Sequence, residues 1–271
     1  MTARATWQRC ALLVFVAGCR MNFDSRGDFD ASMPADDDGG RRSDGTPSEA
    51  GFQPFTEENV PQTNQPIPPN AAGAWVTLVG RGGDGAIGEH RPNQGQNATG
   101  GRGGSGGASI GRVFVPVSAM GATYTTSLGS GSARYVMFQS GGIDLRAGWG
   151  NDGSTTGGVA SAVGISAPLA DGGAGGTPGL GIGDGQPGAS VTNGAGGGGG
   201  GGGGGRSQNV AQGNGGAGGT STGGAGTAGA AGAMGTHTGN QCDGGEGGGG
   251  GGAVLPTGRT GGAGLMRIEW Q

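Results

Sequence analysis

Ten consecutive glycines, Gly196 to Gly205, stand inside a chain in which 75 of 271 residues are glycine. A segment without side chains has none to bury. It is either a solvated coil or a packed backbone whose N–H and C=O groups find partners on neighbouring segments. An ordinary helical core is excluded, because glycine costs a helix interior about 1 kcal/mol per residue relative to alanine. Leu, Ile, Val and Phe together number 37, too few for amphipathic helices to pack on one another. Charge is also sparse, at 13%, so electrostatic expansion does not account for the apolar shortfall. There is no lysine, and 15 arginines against 19 acids give a net charge of −4. That balance argues against a nucleic-acid partner or a basic membrane patch.

The spacing of the other glycines is informative. Gly101, Gly104 and Gly107 step by three, as do Gly173, Gly176 and Gly179, and the series from Gly223 through Gly226, Gly229 and Gly232 to Gly235. An extended left-handed helix with three residues per turn places each series on one edge. Collagen has this geometry but needs an unbroken Gly-X-Y frame rich in proline, and here the frame breaks repeatedly. Two readings remain. In one, glycine helices pack side by side and exchange backbone hydrogen bonds; in the other, the tracts are flexible linker, centred on residues 192–250. Ordering a glycine costs on the order of 1 to 2 kcal/mol against a net ~1 kcal/mol per hydrogen bond. The packed arrangement is therefore expected to need a β core as its template.

Short β-prone runs supply that core: Trp75 to Val79, Ile110 to Val117, Ala122 to Leu128, Arg134 to Phe138, Ile143 to Ala147 and Leu265 to Trp270. Several alternate, with Val113, Val115 and Val117 on one face and Met266, Ile268 and Trp270 on another. The aromatic residues Trp75, Phe114, Tyr124, Tyr135, Phe138, Trp149 and Trp270 are the expected core of one small sandwich. The last run is expected to pair back into the first sheet, making residues 71–271 one glycine-rich β domain. The predicted fold is all-β: a small β-sandwich with glycine-rich loops forming a polyglycine II helix bundle, behind a disordered N-terminal tether.

The N-terminus has the layout of an export signal, with Arg4 and Arg9 ahead of an apolar run from Cys10 to Ala17. Eight residues are too few to span a bilayer core of about 30 Å. Val16-Ala17-Gly18-Cys19 resembles the bacterial lipobox, which implies a signal peptide over 1–18 and lipidation of Cys19 (palmitate among the acyl chains). It implies further a lipoprotein exported to the outer membrane, since Arg20 rather than aspartate follows the cysteine; exposure at the cell surface is a separate expectation, with an inward-facing body as its alternative. The competing reading is an ordinary cleaved signal. Residues 19–70 carry ten acids and four arginines with seven prolines and no apolar period, the composition of an acidic disordered linker. With Cys10 in the signal and Cys19 committed to lipid, only Cys242 remains, and no intramolecular disulfide is available.

Trp75-Val76-Thr77-Leu78-Val79 running into Gly80-Arg81-Gly82-Gly83, then Gly100 to Gly107, Val113 to Val117, Ile143 to Gly148 and the closing Gly264 to Trp270 resemble the glycine-rich domain of phage tail adhesins and bacterial surface proteins. A related architecture occurs in the extracellular glycine-rich region of the anaplastic lymphoma kinase receptor. The resemblance implies a sandwich carrying polyglycine II helices, used for recognition or as a rigid module.

Motifs that suggest chemistry are weak in this composition. Gly80-x-Gly82-x-x-Gly85 matches a dinucleotide fingerprint but precedes no helical pattern to hold a pyrophosphate. Gly103-x-Ser105-x-Gly107 mimics a nucleophile elbow and also lacks its helix. A zinc site from His237, Cys242, Asp243 and Glu246 lacks an apolar clamp to orient it. No cofactor, metal or catalytic residue is expected. Trp149 and Arg146 are the candidate ligand-binding pair, an aromatic ring and a guanidinium close together in a body short of both, facing a glycan or protein partner. The expected role is structural or adhesive and non-catalytic. The alternatives are a periplasm-facing spacer without a ligand and, third, an unrecognised hydrolase.

Overall fold

A computed structural model describes residues 51–271, except 93, 94, 131, 199, 205–209, 239 and 240. The export signal, Cys19 and the first part of the linker lie outside the described residues. The strands in chain order are β1 (Phe55–Glu58), β2 (Gln62–Pro66), β3 (Gly73–Val79), β4 (His90–Arg91), β5 (Ser109–Pro116), β6 (Thr123–Ser127), β7 (Tyr135–Ser140), β8 (Ile143–Gly148), β9 (Ala160–Val163), β10 (Leu169–Ala170), β11 (Val191–Thr192), β12 (Ser221–Thr222), β13 (Thr236–Thr238), β14 (Gln241–Asp243) and β15 (Leu265–Trp270).

Two five-stranded antiparallel sheets, β1-β15-β3-β5-β10 and β2-β6-β7-β8-β9, form the sandwich. Period-2 alternation builds its interior. Val76 and Leu78 of β3, Ile110, Val113 and Val115 of β5, and Met266, Ile268 and Trp270 of β15 face Tyr124, Val136, Phe138, Ile143, Leu145 and Ala147 of the other sheet, all buried. Of the expected aromatic core only Tyr124, Phe138 and Trp270 are inside. Trp75 and Phe114 lie across from one another on the outer face of the first sheet, 5.1 Å between ring centroids, with the Arg112 guanidinium 4.4 Å above the Trp75 ring. Tyr135 and Trp149 are likewise outside the core cluster. Parity explains this, because Val76 and Val113 point inward and their neighbours Trp75 and Phe114 must then point outward.

The N-terminal boundary of the folded unit is a correction. The segment read as linker to residue 70 contributes β1 and β2, one to each sheet: β1 pairs with β15, and β2 with β6. Edge strands are held by backbone hydrogen bonds and need no apolar period, so their polar composition concealed them. β1 also supplies a half-buried polar anchor. Glu57 accepts from the Tyr124 hydroxyl at 2.8 and 2.9 Å and from the Trp270 indole N–H at 3.2 Å. Burial first, and then this carboxylate, holds the Tyr124 hydroxyl well above the usual tyrosine pKa. Glu57→Ala orphans both buried donors and should cost about 2 kcal/mol or more. Glu57→Gln keeps an acceptor and should cost distinctly less; urea unfolding of the two variants checks the order.

The glycine tracts form the predicted polyglycine II bundle. Their hydrogen bonds step by three. Gly100, Gly103 and Gly106 donate to the carbonyls of Gly179, Gly176 and Gly173, while Gly101, Gly104 and Gly107 donate to those of Gly245, Gly248 and Gly251. Each edge of the segment thus serves a different neighbour, as a three-residue turn requires. The bundle continues the sandwich. The β3–β5 ladder ends at Val79↔Ser109, and the next bond, Gly80 N–H to Ala108 C=O, carries the pair on into two glycine helices. The β register therefore sets the phase of the first helix pair.

At the centre is the segment 194–204, whose described residues from Gly194 to Gly204 are all buried. Ala195, Gly198, Gly201 and Gly204 donate toward residues 98–107; Gly196 and Gly202 toward Thr227 and Ala233; Gly197, Gly200 and Gly203 toward Ala189, Gln186 and Gly183. Its carbonyls accept from three more segments, around residues 173–179, 213–219 and 245–251. Six neighbours leave no edge on which a side chain fits, which is why this segment is glycine almost throughout. The segment 225–235, on the outside, keeps only Gly226, Gly229, Gly232 and Gly235 at contact positions, with alanines, Thr227 and Met234 between them. Within this series Gly223 belongs to the preceding turn instead, at φ 77°.

Candidate binding sites

The predicted pair Trp149 and Arg146 is separated by the end of β8. Ile143, Leu145 and Ala147 point into the core, so Asp144 and Arg146 share the outer face. There Arg146 makes a two-pronged ion pair with Asp144, at 2.9 and 2.7 Å, and stacks 4.9 Å from the Tyr135 ring centroid. The hydrogen bond to Asp144 raises its pKa further. The guanidinium is engaged within its own sheet.

Trp149 lies one residue past the strand, where the sandwich meets the bundle, its backbone N–H donating to the Arg134 carbonyl at 2.8 Å. It lines a pocket of about 410 Å³ with Asn59, Arg81, Leu128, Thr260 and Ala263. These residues come from the β1–β2 turn, the first glycine helix, the end of β6 and the segment before β15. Asn59 sits at φ 55°, where a short polar side chain is tolerated, and its Oδ1 accepts from Met266 N–H at 2.9 Å. Arg81 is held at 2.8 Å by Asp84, whose Oδ1 also accepts from Gly261 N–H. The Trp149 indole nitrogen is buried and has no hydrogen-bond partner. Of this group only Trp149 was legible in the sequence. Asn59, Arg81 and Thr260 stand far apart along the chain and share no local pattern.

A second site lies at the end of the bundle far from the sandwich. The ladders that begin at Gly80 and Ala108 finish there, with Glu89 N–H on Thr99 C=O and Ala98 paired to Gly204. A cleft of about 370 Å³ is lined by Asn97, Leu180, Ile182 and Val210. Leu180 and Ile182 are 62% and 65% exposed, on a turn made by Gly181 at φ 61°. Beside it stands the small sheet β13-β14-β4. It gathers both histidines and Cys242: His237 Nδ1 lies 2.8 Å from the buried Cys242 Sγ, and His90 pairs with Asp243. Of the quartet His237, Cys242, Asp243 and Glu246, the first two share one contact, Asp243 belongs to the other, and Glu246 is in neither. Among the described residues no three of His, Cys, Asp and Glu group as a metal site. Also among them, no helix is long and apolar enough to cross a membrane. No protein-family model matches the chain, and no curated protein matches it.

Proposed function

We propose that the chain is a lipid-anchored cell-envelope protein, acylated at Cys19 and held at the outer membrane, whose body is a non-catalytic recognition module. The observation that carries this reading is the hydrogen-bonded glycine bundle, which holds exposed Leu180 and Ile182 at the end away from the sandwich. There Leu180, Ile182 and Val210 line one cleft, and an exposed apolar cluster is the kind of surface that recognition uses. The lipobox resemblance of residues 16–19 and the resemblance of the body to adhesin glycine-rich domains support the same reading.

Protease shaving of intact cells carrying a C-terminally tagged copy tests it, beside a Cys19→Ser variant and a periplasmic control. Loss of the tag from wild-type cells with the control intact is the expected result, and Cys19→Ser should release the protein from the membrane fraction. A protected tag would favour a spacer facing the periplasm.

A further inference from the structure

We infer that the end of the sandwich opposite the bundle rests on the bilayer that holds the lipid anchor. The inference deepens the envelope reading above and rests on it. Strand direction defines this end. β3 runs from Gly73 to Val79 and passes into the bundle at Gly80, so the pairs Gly73↔Pro116 and Ala74↔Trp270 stand at the opposite end. There the connecting segments join into one surface. Ala72 N–H donates to the Gln271 carbonyl at 2.6 Å, the Ala72 carbonyl accepts from Val117 N–H at 3.0 Å, and Ile67 N–H donates to the Ala122 carbonyl at 3.2 Å. Gly121 lies against Gly141, and Gly164 against the Gly142 carbonyl. Residues 51–54, 66–72, 117–122, 141, 142, 164, 165 and 271 include no Asp, Glu, Arg, Lys or His. They do include Ile67, Pro69, Met120 and Ile165, each half-buried or exposed. At the margin Phe55 is 43% exposed, between Phe52 and Trp270 with ring centroids 6.1 and 6.4 Å away.

Charge is placed elsewhere. Ion pairs stand on the outer sheet faces, Arg112 with Glu269, Arg267 with Glu58 and Arg146 with Asp144, and at the far end of the bundle, His90 with Asp243. Bringing those surfaces into a headgroup layer would strip water from charges, whereas the uncharged end carries no such cost. The position of the anchor selects a bilayer as the partner. The chain reaches the fold at this end, where β1 begins with Phe55 opposite Trp270. Residues 20–50, even fully extended, reach no more than about 110 Å. An acylated Cys19 therefore confines the body near lipid and populates a contact too weak to form from free solution. A body resting this way points Leu180 and Ile182, at the far end of the bundle, away from the anchoring membrane.

The test uses the chain from Cys19 onward, which keeps every described residue, coupled through the Cys19 thiol to a maleimide lipid in phosphatidylcholine vesicles. Cys242 is buried and does not compete. Brominated lipid then quenches tryptophan that touches the bilayer. Ser118→Trp, at an exposed position of this end, should be quenched several-fold more than Met234→Trp, exposed beside β13 at the other end. Adding Ala119→Asp and Ala122→Asp, both at exposed positions, should bring Ser118→Trp down to the level of Met234→Trp, with the far-ultraviolet dichroism unchanged. Equal quenching at the two positions would overturn the inference, as would quenching that survives both aspartates, or stronger quenching of Met234→Trp. A doubled mass in solution that the two aspartates abolish would also overturn it, since a second copy would then cover this end. The coupling is chemical, so the outcome does not depend on whether cells acylate Cys19. Failure of Cys19→Ser to release the protein from the membrane fraction would sink the anchor reading and leave the vesicle result standing, so the two proposals fail separately.

Discussion

Gly200→Ala should destabilise the domain by at least about 3 kcal/mol, an effect usually reserved for overpacked cores. Gly200 lies in the central segment, donating to Gln186 and accepting from Gly216. A Cβ there would press on the Thr177 carbonyl far closer than real side chains approach backbone oxygen. The segment 173–179 would have to retreat, and with it the bonds from Gly176 to Gly198 and from Gly179 to Gly201. The cause is space rather than backbone freedom. The positive-φ glycines among the described residues lie in turns and connections, such as Gly181 and Gly223, whereas those of the central segment have a φ that alanine adopts easily. Gly142→Ala is the matched control, since nothing lies near its Cβ position. Denaturant unfolding and amide exchange of the bundle glycines distinguish the cases. A flexible linker over 192–250 would leave both substitutions silent.

Removal of residues 264–271 should abolish folding. β15 lies between β1 and β3, with Trp270 opposite Ala74 on one side and Phe55 on the other. Its loss detaches β1 and opens the core, because Met266, Ile268 and Trp270 are each almost fully buried. Trp270→Ala alone should cost about 3 to 5 kcal/mol, and it also removes the indole N–H from which Glu57 accepts. Far-ultraviolet dichroism and limited proteolysis of the truncated chain provide the check. A protease-resistant product of the shortened length would show that the first sheet closes without its C-terminal strand.

The six long strands were legible because alternation over five or more residues leaves a sequence trace, as in Met266-x-Ile268-x-Trp270. β1 and β2 were not, since FTEE and QTNQP carry no apolar period and join the sheets through backbone groups. Trp149 was legible as an aromatic residue outside a strand pattern. Its distance from Arg146 in function was not, because only the pleat shows that Arg146 points to the outer sheet face and pairs with Asp144.

Residue type and spacing set the kind of order available: strands where β-branched and aromatic residues alternate, and three-residue glycine steps that demand close backbone neighbours. These are local properties, carried by residue type and spacing. The tertiary structure decided which neighbours each edge meets, that residues 194–204 stand at the centre with six of them, and that Asn59, Arg81, Trp149 and Thr260 converge on one pocket. Glycine has no side chain to encode a partner, so the choice of neighbour passes to the β core, whose register positions the first pair of helices and through them the rest.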